Sequence, residues 1–334
     1  MKRVAIIFGG ANSEHEVSCH SAESVIEHID RTQFEVVLLG IDREGGWHRV
    51  DSIGELDAAH VGTASAGTRL PELDDIDIAF PVLHGRCGED GTVQGLLEAA
   101  RVPYVGCGVL ASALAMDKLL SQRLLAASGI PTVPTGSVTR ATASAARSIA
   151  AELGYPVFVK PNRAGSSVGA SRVDSPEQLA AAVDVALAND TTALIQVALV
   201  GDEVDLGVLQ GADGSVRVGS PLRILTDDST TFYDYAAKYT AGGGATLEVP
   251  AKIDPAIAAQ LAVYAELAFA TLGCDGLARV DFFIALDGTI YLNEVNTMPG
   301  LTAFSQFPRM WRESGLGYVE LLTTLLRRAE AVVR

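Results

Sequence analysis

The 334-residue chain is poor in the features that define several protein classes. Its 4 cysteines, Cys19, Cys87, Cys107 and Cys274, are scattered and form no CxxC pair, which excludes a disulfide framework and a thiolate metal site. Lys and Arg total 25 against 41 Asp and Glu, and the resulting formal charge of −16 opposes any broad nucleic-acid or anionic-membrane surface. No uninterrupted run of 18 apolar residues occurs. The opening "MKRVAIIFGG" joins a short apolar run to Gly-Gly instead of to a cleavage pattern. A cytoplasmic protein without membrane or nucleic-acid partners is therefore expected. Also missing are G-x-x-x-x-G-K-[ST] and G-x-G-x-x-G, so neither common nucleotide-phosphate loop is available.

What the chain does contain is a folding-competent composition, 48% hydrophobic and 20% charged, at a length that suggests two or three domains. The first hundred residues alternate strand and helix: "RVAIIFGG", "EVSCHSAESVIEHI", "FEVVLLGID", "DIDIAFPVLHG", "TVQGLLEAA" and "VPYVG". Such alternation predicts a parallel α/β sheet with ligands at the carboxyl ends of its strands, which points to the loops after Phe8 and Leu83. A helix over 116–129 follows, stopped by Gly129 and Pro131, and then shorter strands and helices of α+β character. An Ala-rich helix is expected over 255–272 and a closing helix over 318–332. Residues 226–246, polar and ending in three glycines, have the length of a lid.

The stretch "RVDFFIALDGTIYLNEVN" sets Asp287-Gly288 between two apolar runs, a strong hairpin signal. A two-residue turn there pairs Asp281 with Glu294 and Arg279 with Asn296, all on one face. Opposed carboxylates at roughly 5 Å repel one another. Asp281, Glu294 and Asn296 offer only oxygen ligands, the choice of a hard cation such as Mg²⁺, which keeps water and binds substrate phosphates. A solvent-facing sheet face is the alternative.

Candidate phosphate ligands follow from Lys160, at the end of "YPVFVK", and from "PNRAGSSVG", whose backbone N–H groups with Ser166 and Ser167 suit an anion nest or an ordinary turn. Ser13 and Glu16 read as a capping box for the first helix. Glu14, lying between them, is free either to hold a substrate ammonium or to face solvent. His84, in "VLHGRCGEDG", is directed at the same crevice or is structural. Lys238 and Tyr239 in the lid follow Phe232, Tyr233 and Tyr235, aromatic anchors for a closed loop. In "TMPGLTAFS", the Gly300 N–H and the Ser305 hydroxyl are donors, and Arg279 supplies positive charge for a developing oxyanion.

Taken in order, "FGGANSEHEVS", "HGRCGEDGTVQG", "ASALAMDK", "VKPNRAGSSVG", "FYDYAAKY", "GLARVDFF" and "NEVNTMPG" resemble the D-alanine:D-alanine ligases of the ATP-grasp superfamily over essentially the whole chain. The resemblance implies an N-terminal α/β substrate-binding domain over 1–108 (the pre-ATP-grasp unit). A central ATP-grasp subdomain over 109–198 and a C-terminal one over 199–334, with metal site and lid, would follow. It implies ATP-dependent joining of two D-alanines through a D-alanyl phosphate, for peptidoglycan precursor synthesis. Glu14 would bind the first D-alanine ammonium in a trio with Ser166 and Tyr239, and His84 would lie beside that substrate. Lys118, Lys160 and Lys238 would engage ATP phosphates together with Ser166 and Ser167, and Glu203 the ribose. Asp281, Glu294 and Asn296 would hold two Mg²⁺ ions, with Mn²⁺ able to substitute. Arg279 and the Gly300 N–H would form the oxyanion hole, and Ser305 would bind the second substrate's carboxylate. A homodimer is also implied.

Two positions depart from the commonest pattern. Gln196 stands where a glutamate often meets the adenine, and Cys87 matches the resistance-type branch that uses D-serine or D-lactate. Tyr239 argues against lactate. D-alanine is thus the expected second substrate, with D-serine as the alternative and another ATP-grasp carboxylate–amine ligase behind it. A non-catalytic nucleotide-binding paralogue would have lost lysines or metal acids, and none is missing.

Overall fold

The computed structural model describes residues 1–59, 70–226 and 245–332. In the first unit β1 (Lys2–Gly9), α1 (His15–His28), β2 (Phe34–Ile41), β3 (Trp47–Val50), α2 (Gly54–Ala59), β4 (Ile78–Pro81) and α3 (Thr92–Ala99) follow in order. The sheet order is β3-β2-β1-β4; β2 and β4 run parallel to β1, whereas the edge strand β3 is antiparallel to β2. Both faces are covered, as the unbroken apolar run of β1 requires. Val4, Ile6 and Phe8 point into one core, and Ala5 and Ile7 into another with Val93, Leu97 and Tyr104. The strand expected at 102–106 is reduced to one bridge between Ala79 and Tyr104, with Pro103 beside it. The chain leaves β1 for β2 on one side and returns through β4 on the other, so the carboxyl end of β1 is the crevice where strand order reverses.

Next come α4 (Val109–Met116), α5 (Lys118–Ala127), β5 (Thr135–Thr139), α6 (Ala146–Leu153), β6 (Val157–Pro161), β7 (Ser171–Val173), α7 (Leu179–Asn189) and β8 (Thr192–Val197). The four strands make an antiparallel sheet ordered β5-β8-β6-β7. The helix expected over 116–129 is α5, which starts at Lys118 because Asp117 is extended (φ −84°, ψ 90°) and separates it from α4. Its carboxylate accepts from the Leu120 N–H at 3.1 Å and so caps α5. That break puts Lys118 at the head of a new helix.

The third set is β9 (Gly201–Gln210), β10 (Val216–Val218), β11 (Leu222–Thr226), β12 (Ala245–Glu248), α8 (Pro255–Leu272), β13 (Leu277–Ala285), β14 (Ile290–Asn296), α9 (Gln306–Glu313) and α10 (Tyr318–Ala331). The main path of the sheet is β12-β11-β9-β13-β14, with β10 paired to β9. Helix α8 has the length and apolar composition of a membrane span, but Leu261, Ala265, Ala268, Phe269 and Leu272 are a buried stripe in the core of this sheet. The final helices turn back: Phe307, Trp311, Leu321, Leu322, Leu325 and Leu326 join Val4, Ile6, Phe8, Phe34 and Phe80 in one apolar core.

Candidate active site

The hairpin β13–β14 delivers the expected pairs by an unexpected route. Arg279 pairs with Asn296 and Asp281 with Glu294, but nearer the turn Phe282 pairs with Leu292 and Ile284 with Ile290. The turn is therefore longer by one residue than a two-residue loop. The Ala285 N–H donates to the Thr289 carbonyl at 2.9 Å, the Gly288 N–H donates to the Ala285 carbonyl at 2.8 Å, and Gly288 is left-handed (φ 83°). A three-residue loop with glycine in that place is the usual next choice. A bulge at Asn293 takes up the extra residue and restores the pairing beyond it. The Asn293 carbonyl accepts from Gln122 at 3.2 Å, and its side-chain oxygen lies 3.4 Å from Lys160 Nζ.

On the other side of β13, Asp281 is the register partner of Asp205 on β9. Asp205, Asp281 and Glu294 thus form a row of acids across three adjacent strands. Positive charge offsets their repulsion. Arg279 donates Nε and Nη2 to the two oxygens of Asp281, both at 2.7 Å, and its Nε is 3.6 Å from Asp205. Lys118 Nζ lies 3.4 Å from Glu294 and donates to the Ala164 carbonyl at 2.8 Å. The Asn296 amide donates to Asp281 at 2.9 Å. Although burial opposes the charge on Arg279, the carboxylates of Asp281, Asp205 and Glu294 hold its pKa well above the ordinary value. Among the described residues no three His, Cys, Asp or Glu side chains form a ready-made metal cluster. The donor set of Asp281, Glu294 and Asn296 is nevertheless all oxygen, and these side chains share a cleft.

The loop after β1 departs from the capping-box expectation. Helix α1 begins at His15 with Glu14 in the cap position, and no side chain caps it. Asn12 organises the turn instead: its oxygen accepts the Glu14 N–H at 2.8 Å, and its amide donates to the carbonyls of His84 (3.0 Å) and Arg86 (2.8 Å). Glu16, released from capping, pairs with Arg43. Glu14 is buried (7% exposed), accepts a hydrogen bond from the Ser166 hydroxyl, and among the described residues pairs with no Lys or Arg. Ser166 and Ser167 both have left-handed backbones (φ 48° and 59°), which presents the Ser166 hydroxyl to Glu14.

His84 Nδ1 lies 3.1 Å from the Met298 carbonyl, which only accepts, so Nδ1 carries the hydrogen and Nε2 faces Ser21 at 3.3 Å. Burial pushes its pKa down, opposed in part by Glu14, so the ring is neutral near pH 7. Gly300 and Ser305 are neighbours, a Cβ on Gly300 falling 3.2 Å from Ser305 Oγ. That hydroxyl shares a hydrogen bond of 2.7 Å with Thr302.

A cleft of about 530 Å³ joins these groups. Glu14, His84, Lys118, Ser166, Glu203, Arg279, Asp281, Glu294, Asn296, Gly300 and Ser305 all line it. Lys160, Ser167 and Gln196 are not among its lining residues. Gln196 is buried on β8 and donates to Thr135 Oγ1 at 3.0 Å. Lys238 and Tyr239, with the aromatic residues before them, lie outside the described residues. Glu89, which no sequence motif marks, lines the same cleft. Burial, and then the neighbouring Glu14 carboxylate, push its pKa up to about 8, while the Gly85 N–H donates to it at 2.9 Å. Its signal was its place five residues after His84 in one short loop. Asp205 is unmarked too, since its pairing with Asp281 depends on a strand 76 positions away in sequence.

Residues 3–107 match the family model of the D-ala D-ala ligase N-terminus, and residues 124–327 that of the C-terminus. A D-alanine–D-alanine ligase from Nocardia farcinica is 44% identical, covering 98% of this chain and 97% of the relative. D-alanine–D-alanine ligase A from Escherichia coli is 41% identical, covering 98% and 95%. Among solved structures, the VanG D-Ala:D-Ser ligase from Enterococcus faecalis aligns with a TM-score of 0.85 at 35% identity, covering 98% of this chain and 99% of that one. The D-alanine–D-alanine ligase from Coxiella burnetii aligns at 0.86 and 28%, covering 98% and 94%. With both halves of the family model matched and relatives above 40% identity along nearly the full length, the chain belongs to the D-alanine–D-alanine ligase family.

Proposed function

We propose that the protein joins two D-alanines at the expense of ATP, through a D-alanyl phosphate, to supply the dipeptide of peptidoglycan precursors. One observation carries the reading. A buried carboxylate, Glu14, pairs with no cation among the described residues and shares a cleft with Lys118 and the Arg279–Asp281–Asn296 cluster. A buried carboxylate without a basic partner is costly unless a ligand brings the positive charge. An amino acid's ammonium does so.

The reaction needs a leaving group on a carboxylate, because a carboxylate resists attack at neutral pH. Phosphorylation provides one, and its catalysis is mainly positioning and charge neutralisation. In this reading Lys118, Lys160 and Lys238 neutralise phosphate, with Ser166 and Ser167 donating to it and Glu203 holding the ribose. Gln196 would contribute to the adenine side. Asp281, Glu294 and Asn296 fit Mg²⁺, with Mn²⁺ as substitute, and two such ions would screen the phosphate charges. Arg279 and the Gly300 N–H would stabilise the developing oxyanion, Ser305 would take the second substrate's carboxylate, and Tyr239 would complete the hydrogen-bonded trio of Glu14 and Ser166. His84, neutral and held by Met298, orients the first substrate. The division at residues 108 and 198, a homodimeric assembly, a cytoplasmic location and the lack of nucleic-acid or membrane partners belong to the same reading.

The test is ADP release with ATP and Mg²⁺ when D-alanine is the first substrate and D-alanine, D-serine or D-lactate the second. Release is expected to be fastest with D-alanine. No release above background with any of them would overturn the assignment, and a higher rate with D-serine would move the protein to the alternative branch.

A further inference from the structure

We infer that Gly165 and Gly85 form a steric cradle that fixes the Glu14 carboxylate, which makes Gly165 a positioning residue for the amino group of the first substrate. The inference rests on the reading of Glu14 as the ammonium-binding carboxylate.

Three sequence-distant loops meet at this side chain. Glu14 itself follows β1, Gly85 follows β4, and Gly165 follows β6. One oxygen, Oε1, takes the Ser166 hydroxyl. The other, Oε2, is walled by glycine on two sides. A Cβ on Gly165 would sit 3.0 Å from Oε2, 3.4 Å from Oε1 and 3.5 Å from Cδ of Glu14. A Cβ on Gly85 would overlap Oε2 outright. A methyl group on either wall therefore forces the carboxylate to move.

The two glycines differ in what else they do. Gly85 has φ +71°, so a side chain there strains the backbone as well as crowding Glu14. Gly165 has no such left-handed backbone, and in Gly165→Ala the atoms closest to the added methyl are those of the Glu14 carboxyl. The conformational requirement and the steric one are separated at this position. The loop of Gly165 also carries the Ala164 carbonyl that accepts from Lys118. Ammonium capture by Glu14 is thus tied geometrically to the lysine beside Glu294. A displacement of a few tenths of an ångström is enough to spoil a charge-assisted hydrogen bond to an ammonium, because such bonds are short and directional.

The experiment measures steady-state kinetics of the full-length wild type, Gly165→Ala, Glu14→Asp and the double variant, varying D-alanine at saturating ATP and ATP at saturating D-alanine. The KM of the first D-alanine site, taken from a two-site fit to the D-alanine dependence, should rise about tenfold in Gly165→Ala while that for ATP changes less than about twofold, as expected of a misplaced binding group. Glu14→Asp withdraws the carboxylate by one methylene, so it should cost less in the Gly165→Ala background than in wild type. Such non-additivity is the mark of two residues acting on one position. An unchanged KM for D-alanine, equal rises in both KM values, or strictly additive losses would overturn the cradle while leaving the proposed function standing. A wild type that turns over no D-alanine would overturn both.

Discussion

Replacing Arg279 by methionine tests whether positive charge is what lets the acid row exist. The guanidinium makes two hydrogen bonds of 2.7 Å to Asp281 and approaches Asp205, and these two carboxylates are 3% and 1% exposed. Methionine keeps much of the buried stem and removes only the cation. Breaking a buried ion pair from one side costs about 3–5 kcal/mol, since the remaining carboxylates stay dehydrated and repel. If the 334 residues unfold together, an unfolding entropy of about 2.1 cal/mol/K per residue converts that loss to a Tm lower by roughly 4–7 °C. Mg²⁺ should then matter more to the variant than to the wild type. At about one hundred times its dissociation constant a bound ion returns about 2.7 kcal/mol, most of the deficit. The assay is a thermal melt of both proteins without nucleotide, with and without MgCl₂. A variant within about 1 kcal/mol of wild type would show that the acids do not need Arg279. A deficit that Mg²⁺ leaves untouched would show that the row holds no cation in the absence of nucleotide.

Glu294→Gln removes a charged oxygen donor while preserving shape, so turnover should fall at least about a hundredfold with the fold retained by circular dichroism; near-normal rates would reject the metal role. Glu89→Gln tests the raised acid in the cleft. A carboxyl held near 8 when folded and near 4.5 when unfolded contributes stability fully present below pH 4.5 and lost as pH rises through 8. Glu89→Gln should therefore gain on wild type across that window, by up to about 1.4 kcal/mol per pH unit for one proton. Denaturant titrations at pH 5 and 8 read the difference, and parallel curves would refute the shift.

The site was legible in the sequence to the extent that it depends on short-range alternation. Period-two patterning puts Arg279 with Asp281, and Glu294 with Asn296, on one face of their strands. Pairing the two strands also needs the turn length, and a two-residue turn yields the right pairs only because the bulge at Asn293 cancels the longer loop. The capping box failed for the opposite reason. Ser13 and Glu16 have the local spacing, but Asn12 is engaged by carbonyls 72 and 74 residues away, and those contacts set the loop. Glu89 and Asp205 were invisible for the same cause, their partners being fixed by strand order and loop packing. The helix after Met116 was legible too, its start fixed by the cap that the Asp117 side chain makes.

The return of the last two helices onto the first sheet has a consequence for how the chain is made. On a ribosome, β1, β2 and β4 emerge early, yet the apolar face bearing Val4, Ile6 and Phe8 waits for Phe307, Trp311 and Leu325 before it is sheltered. Until then α1, Leu56, Val105, Leu209 and Leu277 cover it only in part, so translation leaves an incompletely sheltered apolar layer available to holding chaperones. Severing the chain before α9 would leave that layer open permanently.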